Sequence, residues 1–118
     1  MDNVVRDKSF AFAVRIVKLY KHLNTDKREY VISKQLLRCG TAIGALVREA
    51  EQAESKPDFI HKMGIALKEA NETEYWLQLL KATDYLNAKS FASIHKDAVE
   101  LLKLLTSIIK FTKLSMKK

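Results

Sequence analysis

The chain has 118 residues, 47% of them hydrophobic, with three glycines, one proline and one cysteine, and a net charge of +7. That is enough apolar material for one packed core and too little turn chemistry for a sheet protein, so disorder and an all-β fold are both excluded. A single cysteine, Cys39, rules out an internal disulfide and reads as a small core residue in a reducing compartment.

Hydrophobic residues recur with a helical period throughout. The first predicted helix covers about residues 4–23, with Phe10, Val14, Val17, Tyr20 or Lys21, and Leu23 inward. Asn24-Thr25-Asp26 breaks it, and Asp26 with Glu29 has the spacing of a capping box that would open a second helix over 27–53. The inward stripe of that helix is Ile32, Leu36, Cys39, Ile43, Val47 and Ala50. Ser55, Pro57 and Asp58 form the next start signal: a capping hydroxyl, a proline tolerated in a first turn, and a carboxylate at the positive end of the dipole. A third helix follows over 56–85, with Phe59, Met63, Ala66, Ala70, Thr73, Leu77 and Leu80 inward. After Asn87-Ala88-Lys89-Ser90, a fourth runs over 90–114 on Phe91, Ile94, Ala98, Leu101, Leu105 and Ile108, and Met116-Lys117-Lys118 is expected to fray. Short connections force antiparallel neighbours, so residues 1–118 form one all-α domain, an up-down four-helix bundle.

All three glycines fall inside helices, where each is about 1 kcal/mol worse than alanine. Gly40 and Gly44 share a face, and pairing about a turn near residue 54 sets Gly44 beside Gly64 or Ile65. A close backbone approach, within the bundle or between subunits, is the expected use. The second helix is uncharged on two faces, one of which carries Leu37, Gly40 and Gly44, so it is either central in its bundle or shared with another copy. Ile65, Trp76 and Leu79 lie off the main stripe of the third helix and add to the apolar excess, which points to a homo-oligomer. The same register brings Arg38 near Asn71 and Glu72, and Gln35 near Glu74. We therefore expect an inter-helix ion pair joining Arg38 to Glu69 and Glu72.

No chemistry announces itself. None of His22, His61 or His95 stands three residues after a glutamate, so the di-iron pattern of helical bundles is missing. There is no phosphate loop, paired-cysteine zinc spacing or serine elbow, so neither an enzyme nor a metal or cofactor carrier is expected. No signal peptide or run of about 18 apolar residues is seen, so the expected address is the cytoplasm, with no membrane partner. Charge is unevenly spread: +6 over residues 1–48, −4 over 49–78 and +5 over 79–118. Lys89, Lys96, Lys103, Lys110 and Lys117 are spaced by seven, nearly two turns, and so form one stripe. Lys8, Arg15 and Lys18 on the first helix and Lys34 on the second extend the basic surface. The stripe is a solvated face, a surface for RNA or DNA phosphates, or a subunit contact. With little aromatic interleaving, the binding would carry slight sequence preference.

Four runs carry a family resemblance: Ser33-Lys34-Gln35-Leu36-Leu37-Arg38-Cys39-Gly40-Thr41-Ala42-Ile43-Gly44-Ala45, Arg48-Glu49-Ala50-Glu51, Ser55-Lys56-Pro57-Asp58-Phe59, and Ala66-Leu67-Lys68-Glu69-Ala70-Asn71-Glu72-Thr73-Glu74-Tyr75-Trp76-Leu77. Together they resemble the bacterial four-helix-bundle proteins first noticed as reading frames in intervening sequences of large-subunit ribosomal RNA genes. The accessory proteins of diversity-generating retroelements are similar. The resemblance implies a ring-like homopentamer without known enzymatic activity and, through the retroelement relatives, nucleic-acid and reverse-transcriptase partners. The chain departs from the pattern at Ala42 and Leu46, where serine and asparagine are common, and at Asp84, where glycine is common. The resulting expectation is a non-enzymatic, homo-oligomeric, nucleic-acid-associated accessory protein. The rival is a structural or protein-interaction module whose basic faces only solubilise it.

Overall fold

The structure is a computed structural model that describes residues 3–117. Four helices follow one another: α1 (Val4–Thr25), α2 (Ile32–Ala50), α3 (Lys56–Ala82) and α4 (Ala88–Met116). They pack in ring order, α1 on α2, α2 on α3, α3 on α4, with a thinner α4–α1 seam closing the bundle. Cross-helix contacts descend on one helix as they climb on the next, which makes every neighbouring pair antiparallel. Arg6 meets Glu51, Arg38 meets Glu69 and Glu72 while Glu49 meets Lys62, His95 meets Glu74 while Ser115 meets Lys56, and Lys8 meets Glu100. The particle measures 52 × 22 × 21 Å, the shape expected of four parallel rods. It is the predicted all-α four-helix bundle.

Each helix end has a local cause. Ser55 caps α3 by accepting a hydrogen bond from the Asp58 amide at 3.2 Å, as its sequence predicts. Asn87 does the same for α4, accepting from the Ser90 amide at 2.7 Å, so that helix begins at Ala88 rather than at residue 90. It continues to Met116, two residues past the predicted end, and the Lys117 amide still reaches the Leu114 carbonyl at 3.2 Å. Lys118 lies outside the described residues, as do Met1 and Asp2.

α3 stops at Ala82, three residues short of expectation, because Asp84 adopts a left-handed φ of 69°. The Tyr85 amide then returns to the Leu80 carbonyl at 2.9 Å and the Asp84 amide to Lys81 at 3.1 Å, the two bonds of a Schellman motif. A left-handed residue at this point is what makes glycine the natural occupant. Aspartate holds the same geometry at some strain.

The expected capping box at Asp26 does not form, and α2 starts at Ile32, not residue 27. Asp26 instead lies 2.7 Å from His22 Nδ1. Arg28, at a φ of 54°, turns the chain so that the Glu29 carboxylate reaches forward, accepting from the amides of Val31, Ile32 and Ser33 at 3.2, 3.0 and 2.7 Å. Glu29 is therefore the true cap of α2, and it is buried.

The core joins the predicted stripes of α2, α3 and α4, from Leu36, Ile43 and Val47 through Met63, Leu77 and Leu80 to Ile94, Leu101 and Leu105. The predicted stripe of α1 holds at Leu23 and fails at Phe10 and Val14. Its buried face is Ser9, Phe12, Ile16 and Leu23, while Phe10 is 56% exposed and Val14 39%. The Arg48 guanidinium sits 5.3 Å from the centre of the Phe10 ring, so this outward phenylalanine rests under a cation at the α1–α2 edge.

Candidate nucleic-acid interface

Seven-residue spacing turns into geometry on α4. Its buried residues, Ile94, Ala98, Leu101 and Leu105, define the inward direction, and Lys89, Lys96, Lys103, Lys110 and Lys117 are all exposed on the opposite side. Among the described residues, none of these five ammonium groups has an ion-pair partner. Lys96 and Lys103 border a shallow hollow of about 580 Å³ with Val99, Leu104 and Glu100, whose carboxylate is taken by Lys8. Lys110 and Lys117 border another, of about 390 Å³, floored by Leu67, Ile109 and Leu114.

The cations of the first two helices divide. Lys8 donates to Glu100 at 3.1 Å, and Arg15 donates to Asp97 at 2.7 Å and to Ser93 Oγ at 2.9 Å. These two stitch the thin α1–α4 seam and are largely neutralised there. Each such half-exposed pair adds at most about 1 kcal/mol. Lys18 and Lys34 are exposed and unpaired among the described residues. Lys18, Arg15, His22 and Lys89 line one cleft of about 700 Å³ between α1 and the start of α4. An up-down bundle sets α1 beside α4, but the spacing along each helix does not say which of their residues share the seam, so Lys18 and His22 are not linked to Lys89 by pattern alone.

The other singled-out residues are structural. Arg38 spans α2 and α3 through Glu69 at 3.3 Å and Glu72 at 2.5 Å, and the Trp76 indole donates to the same Glu72 oxygen at 3.0 Å. Trp76 is thus half-buried beside an ion pair, with Tyr75 edge-on at 5.1 Å between ring centres. Glu74 faces α4, not Gln35: its carboxylate lies 2.9 Å from His95 Nε2.

The expected Gly44–Gly64 contact is absent. A Cβ on Gly40 would lie 2.8 Å from Ile16 Cγ1, one on Gly44 would lie 3.3 Å from the Ser9 carbonyl oxygen, and one on Gly64 would meet nothing within 4 Å. The close approach joins α2 to α1, which also accounts for the second uncharged face of α2: it is covered inside the bundle.

Cys39 is buried between α2 and α3, accepting a hydrogen bond from Thr73 Oγ1 at 3.2 Å. Burial pushes its thiol pKa up, against a smaller opposing effect of the Thr73 bond, so the reactive thiolate is disfavoured. Among the described residues no group of three or more His, Cys, Asp or Glu side chains could hold a metal ion, and no helix is long and apolar enough to cross a membrane.

Comparison with known proteins places this architecture. Among curated proteins no match is found. A crystal structure of a protein of unknown function from the S23 ribosomal protein family of Bacteroides thetaiotaomicron VPI-5482 superposes with a TM-score of 0.90 at 62% sequence identity, covering 91% of this chain and 99% of that one. The family model of the 23S rRNA-intervening sequence protein matches residues 1–107, almost the whole bundle. By the extent of that match and the identity to a solved relative, the chain belongs to the 23S rRNA-intervening sequence protein family.

Proposed function

We propose that this chain is a non-enzymatic helical bundle that self-associates and binds nucleic acid through phosphates along the outward lysine line of α4. The observation that carries the reading is the line itself: five exposed lysines on one face, none paired among the described residues, on a helix whose two ion-paired acids, Asp97 and Glu100, turn toward α1. A line of uncompensated cations attracts a polyanion, and each neutralised phosphate releases condensed counterions. The name of the family, which ties its members to intervening sequences of 23S rRNA, supports structured RNA as the ligand to try first.

Self-association rests on a different observation. Phe111 and Leu114, near the end of α4, and Tyr75 on α3 are each more than half exposed, apolar side chains that one bundle leaves uncovered. The contact of Lys8 with Glu100 sets the start of α1 opposite the turn of α4 near Leu104. The end of α4 therefore extends beyond the start of α1, where Ser115 meets Lys56 of α3. Five copies is the number that the family resemblance implies. Size exclusion with light scattering checks this: a multiple of the 13.5 kDa chain mass is expected at micromolar concentration, and the monomer mass overturns it.

Binding is checked by an anisotropy titration with structured RNA and duplex DNA at several salt concentrations. Affinity is expected to fall steeply with salt, and a Lys96→Gln/Lys103→Gln/Lys110→Gln variant is expected to flatten the log–log salt slope by about 3 units or slightly less. The same exposed apolar residues favour the second reading, a protein-interaction module with no nucleic-acid role. Absence of binding to either ligand at low salt, with the protein folded and assembled, decides for it.

A further inference from the structure

We infer that the cleft between the second half of α1 and the first turns of α4 is a seat for a nucleic-acid backbone phosphate, held between Lys18 and Lys89. The inference rests on the nucleic-acid reading above and gives it a specific place. The cleft is an open hollow of about 700 Å³, with Leu19 and Ile94 in its walls and Lys18, Lys89, Arg15 and His22 around it. A smaller hollow of about 420 Å³ shares Leu19 and His22 with it and adds Lys27.

Counter-charges decide which cations are available. Arg15 is held by Asp97 and by Ser93, and His22 lies against Asp26. Asp84 lines the smaller hollow beside Lys27. No carboxylate among the described residues reaches Lys18 or Lys89. Two uncompensated ammonium groups therefore flank one concavity, with apolar side chains between them.

Concavity matters physically. Low-dielectric walls concentrate field lines, so two cations across a cleft attract an anion more strongly than the same two on a convex helix face. Lys18 and Lys89 are both exposed, while of the apolar residues in the cleft wall Ile94 is buried and Leu19 half-buried, so neither lysine is part of the packed core. Solubility does not require them to share a hollow. The Ser90 and Ser93 hydroxyls at the same wall offer donors to phosphate oxygens, although Ser93 already receives Arg15. Lys89 is also the first lysine of the α4 line, so a strand whose phosphate sits in the cleft continues along Lys96 and Lys103.

The test compares two double variants of the full chain, Lys18→Gln/Lys89→Gln in the cleft and Lys103→Gln/Lys110→Gln on the open line. Anisotropy titrations with structured RNA are run at several salt concentrations, and unfolding midpoints confirm that both variants fold. The cleft variant is expected to bind about tenfold more weakly at low salt and to lose about 1 unit of salt slope, the share of one neutralised phosphate. Inorganic pyrophosphate is expected to move the amide resonances of Leu19, Ser90 and Ser93 in the wild type and not in the cleft variant. If the cleft variant titrates like wild type while the open-line variant weakens, the cleft proposal falls and the lysine-line reading stands. If pyrophosphate moves only resonances around Lys103 and Lys110, the cleft proposal falls as well. If wild type binds no RNA at low salt, both fall together.

Discussion

Replacing Gly40 by leucine is expected to destabilise the bundle by about 3 kcal/mol. A Cβ alone at this position would lie 2.8 and 2.9 Å from the two γ-carbons of Ile16, a side chain with no exposure at all. Ile16 is β-branched and stiff at χ1, so it has no easy rotamer to retreat into. Three further carbons must either push α1 off α2 or eject Ile16 from the core. Removing a helix-interior glycine returns about 1 kcal/mol at most, so overpacking wins. Gly64 is the internal control. Nothing lies within 4 Å of its Cβ position, so Gly64→Ala is expected to raise stability by about 0.5–1 kcal/mol. Urea unfolding midpoints read both effects. A wild-type midpoint for Gly40→Leu would show that α1 and α2 are not pressed together there.

This pair of glycines also shows where sequence reading stops. Counting back from a turn near residue 54 gives the height of Gly44 along the bundle, and the Glu49–Lys62 contact agrees with that count to within a turn. Counting does not give azimuth. Gly44 is level with α3 residues yet points at Ser9 on α1. Likewise α1 carries two helical stripes, Phe10–Val14–Val17 and Phe12–Ile16–Leu23, and apolar period alone cannot rank them. What ranks them is the neighbour: the small residues Gly40 and Gly44 accept Ile16 and Ser9, and a phenylalanine could not sit where Ser9 does. The buried serine, which the hydrophobic count passes over, is the signal that would have identified the face. The helices α2, α3 and α4 each carry one dominant stripe, and there pattern and core coincide.

The candidate interface divides along the same line. The lysine line was legible because all its members lie on one helix, where spacing fixes direction. The cleft was not, since Lys18 and Lys89 lie on different helices, and neither spacing says which side of α1 turns to α4 where the ring closes. Lys8 and Arg15 were legible as cations but not as neutralised ones. Asp97 and Glu100 follow Ser93 at four and seven residues, which sets all three on the α1-facing side of α4.

Glu29→Ala is expected to cost about 2 kcal/mol, unusually large for a loop residue. Three consecutive amides at the start of α2 have no intrahelical acceptor, and the Glu29 carboxylate takes all three, at 3.2, 3.0 and 2.7 Å. Its negative charge sits at the positive end of the α2 dipole and is only 8% exposed, so the bonds are charge-assisted and poorly replaced by water. The site is reciprocal: Ser33 Oγ donates back to the Glu29 carbonyl at 2.8 Å, and Asn24 Nδ2 from the last turn of α1 donates to that hydroxyl at 3.1 Å. Loss of the carboxylate therefore loosens the α1–α2 corner as well as the first turn of α2. Glu29→Gln retains one acceptor oxygen but adds an NH2 facing amide donors, so about half of the loss is expected to remain. Asp26→Ala, at the position that the spacing alone marks as the cap, is expected to change stability by less than about 0.5 kcal/mol, because Asp26 touches only exposed groups of α1. Thermal or urea unfolding of the three variants reads the order Glu29→Ala, Glu29→Gln, Asp26→Ala. If Asp26→Ala were the most damaging, α2 would have to start near residue 27, with Glu29 inside its first turn rather than ahead of it.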